Sequence, residues 1–470
     1  MKKTKIIATF GPACSDPETA KALVEAGANI FRLNFSHGDH AQHAGFISTI
    51  RRVADELSRP VAILGDLCGP KIRVGDFPDG RVELEPGQSF TLYEDPSAPG
   101  GPSSVGTTYP HLAKDLKPGG RVLLDDGNLS LEVEEVVEGG VRCKVIDGGV
   151  LKNHKGMNMP GSRLSVPSIT EKDKRDLAFI IEQELDFVAL SFVRSADDIV
   201  DLRKLIGPSP VRVVAKIEKP EALDHLEAIL EQVDAIMIAR GDLGVEVALP
   251  RVPQIQKHIL NRCYRRGVPV ITATQMLESM IENPRPTRAE TTDVFNAVTD
   301  ETDAVMLSGE TAAGRHPVEA VKFMAAIAVE AEKLGVTDET WAHLLPEVDP
   351  SIEEILAHSA CGSAVDIGAK AIVAYTNSGA TARFISKYHP PVPVVAMTPN
   401  GQISRQLALS WGVAPMVVPS FDHTADMIDH AETTVKSAGL ASPGDIIVIV
   451  AGVPLGTNAS SNIMKLHRVD

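Results

Sequence analysis

Between residues 5 and 309, short apolar runs alternate with longer stretches whose apolar positions recur every three to four residues. The runs are KIIATF (5–10), NIFRLNFS (29–36), VAILGDL (61–67), FVALSFV (187–193), VRVVAKIE (211–218), AIMIAR (235–240), VPVITAT (268–274) and AVMLSG (304–309). Each has the length and near-continuous apolar character of a strand buried on both faces. Helical patterns lie between them, among others Asp16 to Ala26, stopped by Gly27, then His40 to Ser58, Glu171 to Glu184 and Ala196 to Ile206. An eight-fold alternation of strand and helix predicts an α/β fold of the TIM (β/α)8 barrel type.

The alternation breaks once. From about Lys71 to Val166 the runs become short and β-like, RVELE, SFTLY, RVLLD, LSLEVEEV and VRCKVI, separated by PDG, PGG and DDGN turns. This predicts an all-β domain inserted after the third barrel strand. Beyond an acidic, proline-containing connector (336–354), the runs AIVAYT, PVVAMT, APMVVP and DIIVIVAG alternate with helices and predict a C-terminal α/β unit. The expected division is 1–69 with 167–340 for the barrel, 70–166 for the insert and 350–470 for the last domain.

Composition narrows the picture. A chain of 470 residues, 43% hydrophobic and 23% charged, has the balance of a soluble protein of two or three domains. The net charge of -16 argues against a broad nucleic-acid or anionic-membrane surface, so a small anionic substrate needs a local basic cluster. Cys14, Cys68, Cys143, Cys263 and Cys361 are scattered, odd in number and without metal-type spacing, as expected of reduced thiols in a cytoplasmic protein. The opening apolar run halts at Gly11-Pro12, too soon for a signal-peptide core, and no run is long enough to span a bilayer.

The chemistry gathers at strand ends. Lys216 and Glu218 are two apart in one strand and share a face. Asp242 closes the next strand at Arg240-Gly241-Asp242, where a short helix is expected to begin at the glycine. Two carboxylates on neighbouring strand ends suit a hard divalent ion with positions left for water and substrate; a purely structural Lys216–Glu218 salt bridge is the alternative. Alternation puts Arg32, Asn34 and Ser36 on one face of the second strand, Asp66 ends the third, Thr274 the seventh, and Ser308 and Glu310 follow the eighth. In this fold the carboxyl ends of the strands carry the active site. The set points to a metal and a phosphorylated or carboxylated anion, with the Gly241-Asp242 amides able to receive a carboxylate.

These residues lie in segments that carry a resemblance along essentially the whole chain: ATFGPA (8–13), FRLNFSHG (31–38), GPKIRVG (69–75), LDDGNLSL (124–131), KGMNMPG (155–161), AKIEKPEAL (215–223), ARGDLGVE (239–246), ATQMLESMIENPRPTRAE (273–290) and MLSGETAAGRHPVEAV (306–321). The chain resembles pyruvate kinases. The resemblance implies transfer of a phosphoryl group from phosphoenolpyruvate to ADP, giving pyruvate and ATP. It further implies Mg2+, with Mn2+ as a substitute, on Glu218 and Asp242. Lys216, helped by Arg32 and Arg73, would neutralise the phosphoryl group in flight, while Gly241, Asp242 and Thr274 would face the substrate and Thr274 would join the route that protonates the enolate. Thr9, Pro12, Asn34, His37, Arg73 and Lys155 would border the nucleotide, with the insert acting as a lid. A homotetramer is expected on the same basis. A Mg2+-dependent aldolase or lyase of enolpyruvate-like substrates, and a catalytically silent metabolite sensor, are the other readings.

One departure bears on mechanism. Many relatives have a glutamate where this chain has Lys71 and require a monovalent cation at the equivalents of Asn34, Ser36, Asp66 and Leu67. An ammonium at Lys71 can supply the charge that K+ otherwise brings, so K+ is expected not to be required. In the C-terminal unit, Thr376, Asn377, Ser378, Gly379 and Thr381 form a turn that is either a phosphate cradle or an ordinary capped turn. The loop from Gly452 to Asn462 offers no basic residue for a second phosphate, which speaks against a bisphosphate effector.

Overall fold

The computed structural model describes residues 2–162, 164–334, 350–455 and 460–470. The barrel strands are β1 (Lys5–Thr9), β2 (Ile30–Asn34), β3 (Ala62–Asp66), β4 (Phe187–Leu190), β5 (Arg212–Ile217), β6 (Ala235–Ala239), β7 (Val270–Ala273) and β8 (Ala304–Leu307). They pair in parallel around a closed ring, each with its chain neighbour and β1 with β8. Because successive side chains point to opposite faces, Ile7, Leu64, Phe187, Val214, Met237 and Ile271 fill the lumen, whereas Ile6, Ile63, Val188, Val213 and Ile236 pack beneath the surrounding helices. The helices are stopped and started by local chemistry. Asp16 caps the first by accepting from Thr19 N at 2.9 Å, and Gly27 ends it with φ of 119°, a backbone state open to glycine.

The insert follows β3 and carries its own buried cluster around Phe90, Leu131 and Val141. It is a six-stranded sheet with a separate two-stranded pair, plus a short helix at Leu112–Asp115 that its β-like pattern did not predict. The barrel holds the segment that returns from the insert through Arg194, whose Nη1 donates to Leu164 O at 2.9 Å and Nη2 to Val166 O at 3.0 Å. Asn158 Nδ2 donates to Glu246 Oε1 at 2.8 Å from the other side.

The C-terminal sheet contains the four expected strands, in parallel, and a fifth, β13, if the four are numbered β9 (Ile372–Tyr375), β10 (Val394–Thr398), β11 (Val413–Val417) and β12 (Ile446–Ala451). That fifth strand, Ile463–Arg468, runs antiparallel to β12 at the sheet edge. Its Lys465, His467 and Arg468 break the apolar run that identified the others. Most of the predicted connector, 336–349, lies outside the described residues.

The C-terminal domain also stoppers the barrel. Ala408 and Leu409 belong to the lumen cluster, and polar contacts surround them at the amino ends of the strands. Arg405 Nε lies 2.8 Å from Asp186 Oδ1, Gln406 Nε2 donates to Pro210 O at 2.9 Å, and Arg212 Nε donates to Gln406 Oε1 at 2.7 Å. No helix among the described residues is long and apolar enough to cross a membrane, and the five cysteines are unpaired.

Lys5 lies at the same joint, buried, with Nζ donating to Val413 O at 2.6 Å. Burial lowers its pKa from 10.5 to about 8 against the attraction of Glu332 and Asp303. A base with a depressed folded pKa costs stability below that pKa, and the cost fades towards pH 10.5, where the unfolded chain also loses its proton. The stability of Lys5→Met relative to the parent should therefore fall by about 3 kcal/mol between pH 7 and pH 10.5, read from urea unfolding. A difference independent of pH would contradict this.

Candidate functional site

Four neighbouring strands bring five polar side chains to the mouth of the barrel. Asp66 is the last residue of β3, Arg32 lies in β2, Ser191 follows β4, and Lys216 lies in β5 with Glu218 just beyond it. Arg32 Nε donates to Asp66 Oδ2 at 2.7 Å. Lys216 Nζ lies 3.3 Å from Asp66 Oδ1 and 2.9 Å from Glu218 Oε1, and donates to Ser191 Oγ at 2.8 Å. Burial alone would lower the Lys216 pKa, but Asp66 and then Glu218 outweigh it and hold the ammonium charged well above its ordinary range. Burial likewise opposes ionisation of Asp66, and Lys216 and Arg32 more than offset it, keeping its pKa below the usual value.

Two cations and two carboxylates balance one another here. Asp242 then adds a negative charge, since its carboxylate makes no ion pair or hydrogen bond among the described residues. Glu218 is fully buried and its pKa is raised, first by that burial and further by Asp242, with Lys216 pulling the other way. Its Oε2 accepts the Phe192 N–H at 2.8 Å, while Oε1 has the ammonium beside it but no donor aimed at it. A buried carboxylate oxygen whose one neighbour is the Lys216 ammonium, beside the unpaired Asp242, fits a hard divalent cation. No group of three or more metal-ligating side chains is found among the described residues; an ion on Glu218 and Asp242 would draw its other oxygens from water and substrate.

Thr274 is held in an uncommon state. Its φ is 69° and that of Gln275 is 54°, left-handed values that are costly for a β-branched residue. Arg240 clamps this turn, with Nη2 donating to Thr274 O at 2.8 Å and Nη1 paired with Asp293 at 2.7 Å. Thr274 Oγ1 accepts the Gly241 N–H at 2.8 Å. That amide is thus engaged by the threonine, and the helix begins at Arg240, one residue before the expected glycine.

Ser36 departs from expectation. β2 ends at Asn34, and Ser36 lies in the following turn, where Asn34 Oδ1 accepts its N–H at 3.1 Å. The Asn34 side chain ends the strand by capping the turn. Glu310 is not at the mouth as a free acid: it is buried and accepts N–H bonds from Leu277 at 3.1 Å and Ser308 at 2.7 Å.

A cleft of about 510 Å3 beside this cluster is lined by Thr9, Pro12, Arg32, Asn34 and His37, among others. It brings together most of the expected nucleotide residues. Arg73 and Lys155 do not line it: Arg73 Nη1 donates to His154 O at 2.9 Å, and Lys155 pairs with Asp125 at 2.6 Å, both within the insert. Burial lowers the His37 pKa, and the positive charges of Arg73, Lys71 and Arg32 lower it further. Lys71 is exposed and makes no ion pair among the described residues. The C-terminal turn is largely self-satisfied: Thr376 Oγ1 accepts the Gly379 N–H at 3.0 Å, Thr381 Oγ1 lies 2.6 Å from Ser461 Oγ, and Ser378 O accepts from Arg212 at 3.1 Å. Asn377 sits in the same turn. Part of the final loop, 456–459, lies outside the described residues.

A family model described as pyruvate kinase, barrel domain, matches residues 1–321. The chain belongs to the pyruvate kinase family. A second pyruvate kinase model, for the alpha/beta domain, matches residues 354–467. The pyruvate kinase of Clostridium acetobutylicum is 43% identical over 100% of both chains. That of Geobacillus stearothermophilus is 45% identical over 99% of this chain and 80% of its own. A crystal structure of a pyruvate kinase from Cryptosporidium parvum superposes with a TM-score of 0.94 at 37% identity, covering 100% of this chain and 96% of that one. As a member of the pyruvate kinase family, the chain is a phosphotransferase.

Sequence reasoning missed Ser191 and Phe192. A signal was available: Phe187 and Ala189 face the lumen, so period two makes Ser191 the next inward position. Removing Asp66 should leave two buried cations sharing one acid. Asp66→Ala is expected to cost about 3–5 kcal/mol of stability in guanidinium unfolding; a cost under about 1 kcal/mol would mean the charges are not held as described.

Proposed function

We propose that this protein transfers the phosphoryl group of phosphoenolpyruvate to ADP, giving pyruvate and ATP. The observation that carries the proposal is the buried Asp66–Lys216–Glu218 cluster next to an unpaired Asp242 and a cleft of nucleotide size. When bound on Glu218 and Asp242, Mg2+, or Mn2+ in its place, would neutralise charge on the substrate's oxygens. Lys216 and Arg32 present fixed positive charge to the phosphoryl group as its bond to the enol oxygen breaks and its bond to the ADP oxygen forms. Arg73 and Lys155 join them from the insert when their present partners are exchanged for phosphate. The released enolate takes a proton at its methylene carbon by a route that includes Thr274; a threonine hydroxyl is too weak an acid to be the sole donor. Thr9, Pro12, Asn34 and His37 border the nucleotide, and the insert excludes water as it closes.

The same reading divides the chain into a barrel (1–69 and 167–340), a lid (70–166) and a regulatory-type domain (350–470), located in the cytoplasm. It assembles as a homotetramer, and the free outer edge of Ile463–Arg468, with Leu466 exposed, is consistent with association. The Thr376–Thr381 turn, where Asn377 and Ser378 lie, leaves open a monophosphate, a nucleotide or no effector.

We further propose that turnover needs no K+. Three observations favour this. Asp66 is already occupied by Arg32 and Lys216, Leu67 O accepts the Ser191 hydroxyl at 2.8 Å, and Asn34 Oδ1 is used by Ser36. Lys71, which follows Leu67 towards the insert, makes no ion pair among the described residues.

A coupled assay should detect ATP from phosphoenolpyruvate and ADP only with Mg2+ present, and Lys216→Met should lower kcat by at least about 1000-fold with circular dichroism unchanged. Phosphoenolpyruvate-dependent carbon–carbon cleavage without ATP would favour the aldolase reading instead. Replacing all K+ by a tetraalkylammonium salt should change the rate by less than about twofold, and Lys71→Glu should create a K+ requirement. A many-fold loss in the parent that K+ restores would refute independence.

A further inference from the structure

We infer that the Ser191–Phe192 corner, at the carboxyl end of β4, is the positioning element that aims both the Lys216 ammonium and the Glu218 carboxylate. The inference rests on the roles proposed above for those two residues.

Ser191 is buried, 2% exposed, and its hydroxyl has one proton to give. That proton goes to Leu67 O at 2.8 Å. With the proton so directed, an oxygen lone pair faces Lys216 Nζ at 2.8 Å. The ammonium's other two neighbours, Asp66 at 3.3 Å and Glu218 at 2.9 Å, are carboxylates on different strands. Left to them alone, the ammonium would settle onto one. The serine oxygen supplies a third, neutral point that keeps Nζ between the acids and does not consume its charge, leaving that charge available to a phosphoryl group.

The next residue serves the other partner. Phe192 has φ of 55°, a value that a bulky aromatic residue seldom adopts. The bend turns its N–H towards Glu218 Oε2 at 2.8 Å, and Oε1 is left without an aimed donor. One oxygen is thereby fixed, and the other, with the Lys216 ammonium at 2.9 Å, faces cations only. Strained backbone kept in place by its surroundings is a recurrent property of functional sites.

The surroundings that keep it are at the entry to the insert. A Cβ at Gly69 would lie 2.9 Å from the Phe192 ring and 3.1 Å from Ser191 Cβ. Only a glycine lets the chain leave β3 for the insert this close to the corner. On the far side the Lys219 ammonium lies 6.0 Å from the Phe192 ring centre and pairs with Glu246 at 2.5 Å, the acid that also receives Asn158 from the insert. The corner is therefore packed between the catalytic groups, the entry to the insert at Gly69 and the Glu246 acid that receives Asn158.

Ser191→Ala in the full-length enzyme tests this. At saturating phosphoenolpyruvate, ADP and Mg2+, kcat should fall about 10- to 100-fold, because a misplaced ammonium costs rate steeply. The KM for phosphoenolpyruvate should stay within about threefold, and the Mn2+ dissociation constant, read by electron paramagnetic resonance without substrates, within about twofold. Phe192→Gly keeps the N–H and accepts the positive φ, so its Mn2+ affinity should stay within about threefold of the parent. The inference is overturned if Ser191→Ala keeps its kcat within about twofold, or if kcat, KM, Mn2+ affinity and melting temperature all decline together, the mark of a merely structural residue. It is also overturned if Phe192→Gly loses Mn2+ affinity more than about tenfold, since the backbone N–H would then not be what orients Glu218. A parent enzyme that makes no ATP would instead refute the proposed function, and the two failures are told apart by that control.

Discussion

The molecule depends on keeping one ammonium ion charged where little water reaches it. Lys216 is stable there only because Asp66 and Glu218 come to it from neighbouring strands, and neither acid would stay ionised at such depth without the cations opposite. Desolvating any one of these charges alone would be prohibitive. Their mutual support demands that β2, β3, β4 and β5 end at one level, which is what a closed parallel barrel provides. The fold and the chemistry are thus two aspects of one constraint.

The same constraint explains the stopper. Strands whose upper ends must hold register to within a fraction of an ångström need their lower ends fixed as well. Arg405, Gln406 and Arg212 tie the amino ends of β4, β5 and β6 to the C-terminal domain, and Ala408 and Leu409 fill the lumen beneath. Arg212 is at one end of β5 and Lys216 near the other, with the Ser378 carbonyl on the same guanidinium. The C-terminal turn is therefore one strand's length from the catalytic ammonium.

Much of this was legible in the chain. Continuous apolar runs separated by amphipathic helices specify a barrel almost by themselves, and polar residues that close those runs pick out Asp66, Lys216, Glu218, Asp242 and Thr274. What escaped notice had physical reasons. Ser36 reads as strand because period two continues through it, but the Asn34 side chain competes for its amide and ends the ladder. The edge strand Ile463–Arg468 exposes half its length and so loses the apolar signal. The stopper went unseen because nothing local marks Ala408 and Leu409 as guests of another domain's core. The Phe192 bend leaves no trace in composition, since a positive φ at an aromatic residue is imposed by tertiary packing.

The account turns on Glu218 and Asp242 acting together as the open pair for one divalent ion beside the fixed ammonium. Counting bound Mn2+ by electron paramagnetic resonance in the parent, Glu218→Gln and Asp242→Asn measures that directly. One ion per chain in the parent, and at least about a tenfold weaker site in each variant, is the predicted result. Both variants binding Mn2+ as tightly as the parent would contradict it.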